Sequence, residues 1–323
     1  MAVPAVKPVS ADRFEQPPMT RTATGALRRV GVEVEFMGIG VRDAVGVLAA
    51  ELGGVVIEED PHAASVLNSR IGDFSVELDL RHAHPQRHAE TLPLRLGRRG
   101  AALLGRALGP FVARELITSP LPIDRLGEVD RAVEILRRSG ASGQGGDLGL
   151  HFNVDTPSLD AATVTAFLKA YVLLDPWLRE VTRGGAGDRS GLPGTYPEDY
   201  VRRIVMPEYR PDLATLADDY LAANPTRNRG LDLLPVLLYL DKARVRRLLP
   251  HEKIAGRPVF HYRLPVARVG LEDWSIAEDW RRWIMVERLA CDPEGLRALG
   301  QTYVGFQGSE AEWVRYVKGF TNR

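Results

Sequence analysis

Cysteine is almost absent from the 323 residues. Cys291 stands alone, which excludes an intramolecular disulfide framework and a zinc ribbon and suits a reducing compartment. An excess of either charge is absent too. The 42 basic and 42 acidic residues give a formal charge of zero and a pI near 7.1. That argues against a dedicated nucleic-acid or membrane-surface binder, since both normally carry a basic surplus. Long apolar runs are missing: Leu233–Leu240 is the longest uncharged one, far short of the ~20 residues that span a bilayer. No G-x-G-x-x-G opens a helix after a strand, and there is neither a phosphate-binding P-loop nor a G-x-S-x-G elbow. Lysine is scarce beside arginine, 5 against 37. Arginine's planar fork suits phosphate and carboxylate ligands, but a GC-rich coding bias explains the ratio more simply. These absences point to a soluble, cytoplasmic protein without nucleic-acid or membrane partners.

What is present is ordinary in bulk, with 45% hydrophobic and 26% charged residues. The length allows one large domain or two small ones. Residues 1–27 contain Pro4, Pro8, Pro17 and Pro18 and no apolar period, so they read as a flexible or surface-draped arm. Residues 28–323 read as a single domain whose part from about 198 onward is helical.

Five segments alternate apolar and polar residues with period two: 30–36, 74–81, 111–117, 148–155 and 259–264. That marks strands with one buried and one open face. Helical patterns cover 42–52, 124–138, 158–181, 211–223 and 231–249, and Ser275-x-x-Glu278 and Ser309-x-x-Glu312 are capping boxes for the last helices. A parallel doubly wound sheet would show strands apolar on both faces. The expected fold is therefore α+β, with a mainly antiparallel sheet covered by helices on one side.

The open faces carry the chemistry. With Val30, Val32, Val34 and Phe36 inward, Glu33 and Glu35 share the other face, roughly 7 Å apart. The second strand adds Ser75, Glu77, Asp79 and Arg81, the third Glu115, the fourth His151, Asn153 and Asp155, and the fifth His261 and Arg263. A solvated sheet surface is one reading. Asp and Glu are depleted on exposed strands, however, and like charges opposite one another destabilise a sheet. A divalent cation resolves both difficulties, and oxygen donors with an occasional His suit Mg²⁺ or Mn²⁺. Arginine on the same face would hold an anion bridging to the metal, most simply a phosphate. Other candidates are weaker. Gly143-x-Gly145-Gly146 reads as a turn before a strand, His82 and His84 as loop residues, Cys291 as buried packing, and Trp274, Trp280 and Trp283 as core anchors.

Four blocks in order complete the picture: Gly31-Val32-Glu33-Val34-Glu35, Glu115-Leu116-Ile117-Thr118-Ser119-Pro120, Gly149-Leu150-His151 with Asp155, and His261-Tyr262-Arg263. Over residues 28 to 290 this set resembles the carboxylate–amine ligase superfamily, which includes glutamine synthetase and glutamate–cysteine ligase, and is most similar to its amidoligase branch. The resemblance implies a curved antiparallel sheet forming a funnel, with ATP and divalent metals on its concave face. It implies a reaction in which ATP activates a carboxylate as an acyl phosphate that an amine then attacks, the substrates being small molecules or peptides. By residue, it makes Glu33, Glu35 and Glu115 metal ligands, His151 a contact to metal or nucleotide, and Arg263 the stabiliser of the transferring phosphoryl group.

Two positions depart from the family pattern. Asn153 stands where a second His is expected, keeping a polar contact to nucleotide, and His261 replaces a carboxylate ligand with an imidazole. Glu77 or Asp79 is a candidate base for the incoming ammonium. Arg227 and Arg229 read either as binders of substrate carboxylate or nucleotide phosphate or as a surface loop. The glycine-rich stretch 183–197 reads either as a lid excluding water or as a connector. A metal-dependent phosphohydrolase and a degenerate nucleotide-binding regulator are the rival functions, and a homo-oligomer is compatible with all three.

Overall fold

The computed structural model describes residues 13–80, 107, 111–143, 148–183, 191–250, 252 and 254–321. They form a mixed α+β fold of ten strands and ten helices. The strand pairs β1–β5, β2–β3, β3–β4, β4–β5, β7–β9 and β8–β9, with ranges given below, are all antiparallel. Two compact units emerge. One draws on the described residues within Met1–Gln16, Gly31–Leu148 and Ala267–Arg281, the other on those within Pro17–Val30, Gly149–Val266 and Arg282–Arg323.

In the first unit, strands β1 (Arg29–Phe36), β2 (Val55–Asp60), β3 (Ala63–Ser69), β4 (Gly72–Leu78) and β5 (Arg114–Thr118) lie in the order β2-β3-β4-β5-β1. The short β6 (Leu121–Pro122) pairs with β1. Val32, Val34 and Phe36 of β1 are fully buried, as are Val76 and Leu116 of its neighbours. Helix α1 (Val41–Leu52) packs its buried face, Ala44, Val45 and Leu48, against β3 and β4 and against α2 (Leu126–Arg138). The α2 helix ends because Gly140, at φ 98°, turns left-handed while the Ala141 amide caps the Leu136 carbonyl.

In the second unit, β7 (Leu148–Asp155), β9 (Val259–Tyr262) and β8 (Leu231–Asp232) lie side by side. Helix α3 (Ala161–Arg183) is capped by Asp160, which accepts from the Thr163 amide. Phe167 of α3 stacks on Phe260 of β9 at 4.6 Å, and Trp283 closes the aromatic cluster. The remaining helices are α4 (Glu198–Ile204), α5 (Leu213–Ala223), α6 (Leu234–Leu240), α7 (Lys242–Leu248), α8 (Ala277–Ala290), α9 (Pro293–Gly305) and α10 (Glu310–Thr321). β10 (Val266–Ala267) pairs with β7.

Several elements differ from the expectation, each for a local reason. The second alternating segment ends at Leu78, where the Leu80 amide turns back onto the Leu78 carbonyl. Asp79 therefore lies past the strand, and Arg81 lies outside the described residues. The third begins at Arg114, leaving Phe111 exposed. The helix expected over 231–249 is a two-residue strand and two helices. Asp241 breaks it with an extended backbone and caps α7 by accepting from the Arg244 amide. Ser275 forms no capping box; its hydroxyl donates to buried Asp130, while Glu278 pairs with Arg281. Ser309 and Glu312 do form theirs. Of residues 1–27, those from 13 on are described: Phe14 is buried, and the Glu15 carbonyl accepts from Trp280 Nε1. Trp280 and Trp283 are core residues as expected, whereas Cys291 is only half-buried.

Candidate active site

Period-two geometry places Glu33 and Glu35 on the half-exposed face of β1 while the valines go inward. The register then does something the sequence alone does not specify. Glu35 lies directly opposite Glu115 of β5, and Glu115 lies directly opposite Glu77 of β4. Three adjacent strands thus line up three carboxylates in one row. Residues so opposed carry Cβ atoms about 4.5–5.5 Å apart, and like charges there repel. Glu33 is on the same face one step along, opposite Ile117. Asp79 is exposed beyond the end of β4 and is not part of the row.

A second row forms in the second unit. Asn153 of β7 lies opposite His261 of β9, which lies opposite Asp232 of β8. All three are buried, His261 at 2% exposure and Asp232 at 0%. The fourth and fifth alternating segments are therefore covered at these positions, not open as expected. His261 Nδ1 is 3.4 Å from Asp232 Oδ2, and the His151 ring meets the His261 ring edge-on at 5.5 Å. A carboxylate this close to one imidazole nitrogen favours a proton on that nitrogen.

The loop joining α5 to β8 completes this row. Arg227 Nε lies 3.6 Å from Asp232 Oδ2, while Asp232 Oδ1 accepts from the Leu234 amide. Arg263 follows β9 directly. Its amide donates to the Gly230 carbonyl and its Nη1 to the Arg227 carbonyl, so Arg263 is tied to the loop that carries Arg227. Arg229 is employed otherwise: it donates to Asn224 and Asn228 and lies over the Tyr196 ring, which makes it a loop brace. Asp155 is also structural, since its carboxylate accepts from the Arg29 amide, and burial pushes its pKa above the usual carboxylate value.

Asp232 was not visible as a site residue in the sequence. It stands just before the apolar run Leu233–Leu240, where the helical pattern absorbs it; a lone acid at the start of so apolar a stretch was the available signal. Gly145 and Gly146, His82, His84 and His88, and residues 184–190 of the lid or connector lie outside the described residues. Arg179 holds the far end of that stretch to α3 by donating to the Pro193 and Gly194 carbonyls.

The donor sets fit the groups expected of them. The glutamate row offers hard oxygens, which suit Mg²⁺ or Mn²⁺; the imidazole pair also suits Mn²⁺. The Arg227 and Arg263 guanidinium groups, linked by the bond from Arg263 to the Arg227 carbonyl, suit phosphate oxygens. A family model carrying the description "Putative amidoligase enzyme" matches residues 26–285. No curated protein and no solved structure matches.

Proposed function

The chain belongs to this amidoligase family, and from that membership we propose that it is an ATP-dependent ligase joining a carboxylate to an amine through an acyl phosphate, with Mg²⁺ or Mn²⁺ as cofactor. The observation that carries the proposal is the opposed row Glu35–Glu115–Glu77, which brings three carboxylate oxygen donors abreast on adjacent strands.

In this reading Glu33, Glu35 and Glu115 are cation ligands in the first unit, and His151 and His261 are ligands in the second. When bound, the cation supplies positive charge to the oxygens of the transferring phosphoryl group. Arg263, whose Nη1 donates to the Arg227 carbonyl, offers its guanidinium fork to phosphate oxygens. Arg227 and Asn153 hold the nucleotide, and Asp232 holds His261 in orientation. Glu77 takes the proton that the incoming ammonium must lose before its nitrogen can attack. Asp79, past the end of the strand, is left out of that role.

The experiment is a screen for ADP release over pairs of carboxylates and amines, with the product weighed by mass spectrometry. The expected result is ADP release that requires the amine and yields an amide. Arg263→Lys should lower kcat about 10³-fold. Phosphate release without any amine would identify a phosphohydrolase instead, and ATP binding without turnover would identify a regulator. An Arg263→Lys effect confined to KM would remove that residue from phosphoryl transfer.

A further inference from the structure

The second unit contains a cavity of about 390 Å³ whose lining includes none of the residues assigned above. One face of α3 supplies Ala162, Thr165, Ala166 and Lys169, the i, i+3, i+4 and i+7 positions of a helix stripe. Val205 and Leu296 add to the apolar wall, and the exposed Arg210 and Arg297 flank it.

Two polar groups on that stripe are buried. Lys169 is 9% exposed, and its Nζ donates to the Met206 and Tyr209 carbonyls, which leaves one of its three protons for another acceptor. Thr165 is 5% exposed, and its Oγ1 has no hydrogen-bond partner. A buried ammonium held by neutral carbonyls and no carboxylate is an unusual expense, because buried charges are normally paired. A buried hydroxyl without a partner is unusual as well.

We propose that this cavity binds a small monocarboxylate with a short apolar body, its carboxylate accepting from Lys169 Nζ and Thr165 Oγ1. The carboxylate supplies a counter-charge in direct contact, which the more distant Glu208 does not, and satisfies both donors. The apolar body lies against Ala162, Ala166, Val205 and Leu296, which offer an anion that is polar all round, such as phosphate, nothing but desolvation. Arg210 and Arg297 draw anions toward the cavity. The charged groups facing Lys169 are Arg210, which repels it, and Glu208, which attracts it; burial and Arg210 together push the ammonium down to about 8.

This site stands apart from the ligase reading and can be tested without it. Hexanoate and hexanamide share one apolar body and differ in charge, so calorimetric titration of each against the full chain at pH 7 isolates the carboxylate. Hexanoate should bind with one site per chain, and hexanamide about tenfold more weakly or worse, the scale of a lost charged hydrogen bond. Lys169→Met should weaken hexanoate about tenfold and Thr165→Val about threefold. Glu115→Gln should leave hexanoate binding unchanged, which separates this cavity from a substrate site on the sheet. If Lys169→Met fails to fold, Thr165→Val and the acid–amide comparison still decide. The proposal is overturned by no hexanoate binding up to about 10 mM, by equal binding of acid and amide, by affinity that survives both α3 substitutions, or by affinity lost in Glu115→Gln.

Discussion

Arg28 and Lys169 are both buried cations, held in opposite ways. Arg28 meets Glu287 through two hydrogen bonds of 2.8 and 2.7 Å and donates two more to the Asp155 and Met19 carbonyls. Trp283 Nε1 adds a third bond to the same carboxylate, so neither charge is left uncompensated. Lys169 is held by two carbonyl oxygens and lies over the Tyr209 ring, with no carboxylate in contact, and the consequence is a pH dependence. Its ammonium titrates at about 8 in the folded chain against 10.5 in the ordinary state. Below pH 8 both folded and unfolded chains carry the charge, and the folded chain bears the full cost of burying it. Between about 8 and 10.5 the folded chain has released a proton that the unfolded chain still holds, so stability rises with pH through that window. The neutral amine keeps its two hydrogen bonds to carbonyls. The melting-temperature difference between wild type and Lys169→Met should therefore shift in favour of wild type as pH rises from 8 to 10.5. A difference that stays flat across the window would show that burial does not perturb this lysine.

At the scale of the element, β4, β5 and β1 set three like charges abreast, and the proposed cation would offset them. Each opposed like-charge pair costs roughly 0.2–1 kcal/mol, and Glu115 takes part in both. Neutralising it by Glu115→Gln should raise the metal-free melting temperature while abolishing the further rise that saturating Mn²⁺ or Mg²⁺ produces in wild type. A lower melting temperature in the variant, or an equal cation response, would mean the row is not a cation site. β1 and β4 were legible because Val-x-Val-x-Val and Phe-x-Val-x-Leu alternate cleanly, and the same alternation exposed Glu33, Glu35 and Glu77. The register that brings Glu35, Glu115 and Glu77 abreast was not, since pairing is a property of two strands and period two describes only one. The β2–β3 hairpin escaped notice because Val55-Val56-Ile57 and Glu58-Glu59-Asp60 form blocks instead of an alternation, and its apolar half is exposed at the edge of the unit. Two-residue strands such as β8 have no period at all, so Asp232 was hidden with them. Asp241 shows the converse: the leucine-rich pattern continues through it, but its cap and extended backbone end one helix and begin the next.

At the scale of the whole chain, the second unit is assembled from three separated stretches, Pro17–Val30, Gly149–Val266 and Arg282–Arg323. The central stretch holds β7, α3, β8 and β9, including His151, His261, Asp232 and both loop arginines. Its packing partners come from the outer two. Arg28 reaches across 259 residues of sequence to Glu287, and its Nε donates to the Asp155 carbonyl at the end of β7. Trp283 covers Phe167, Phe260 and Tyr262. Trp313 of α10 is 2% exposed and donates to the Leu173 carbonyl in the middle of α3. Losing a buried tryptophan costs on the order of 3–5 kcal/mol, and a domain's whole stability is only about 5–15 kcal/mol. Removing two tryptophans and the ion pair together should exceed that margin. A fragment of residues 149–266 is therefore expected to show no cooperative thermal transition by circular dichroism, and the full chain to show one. A fragment that melts cooperatively at the temperature of the full chain would mean the central stretch carries its own core. In that case the long-range anchors, Arg28–Glu287 and Trp313, would be dispensable to the geometry of the His261–Asp232 row.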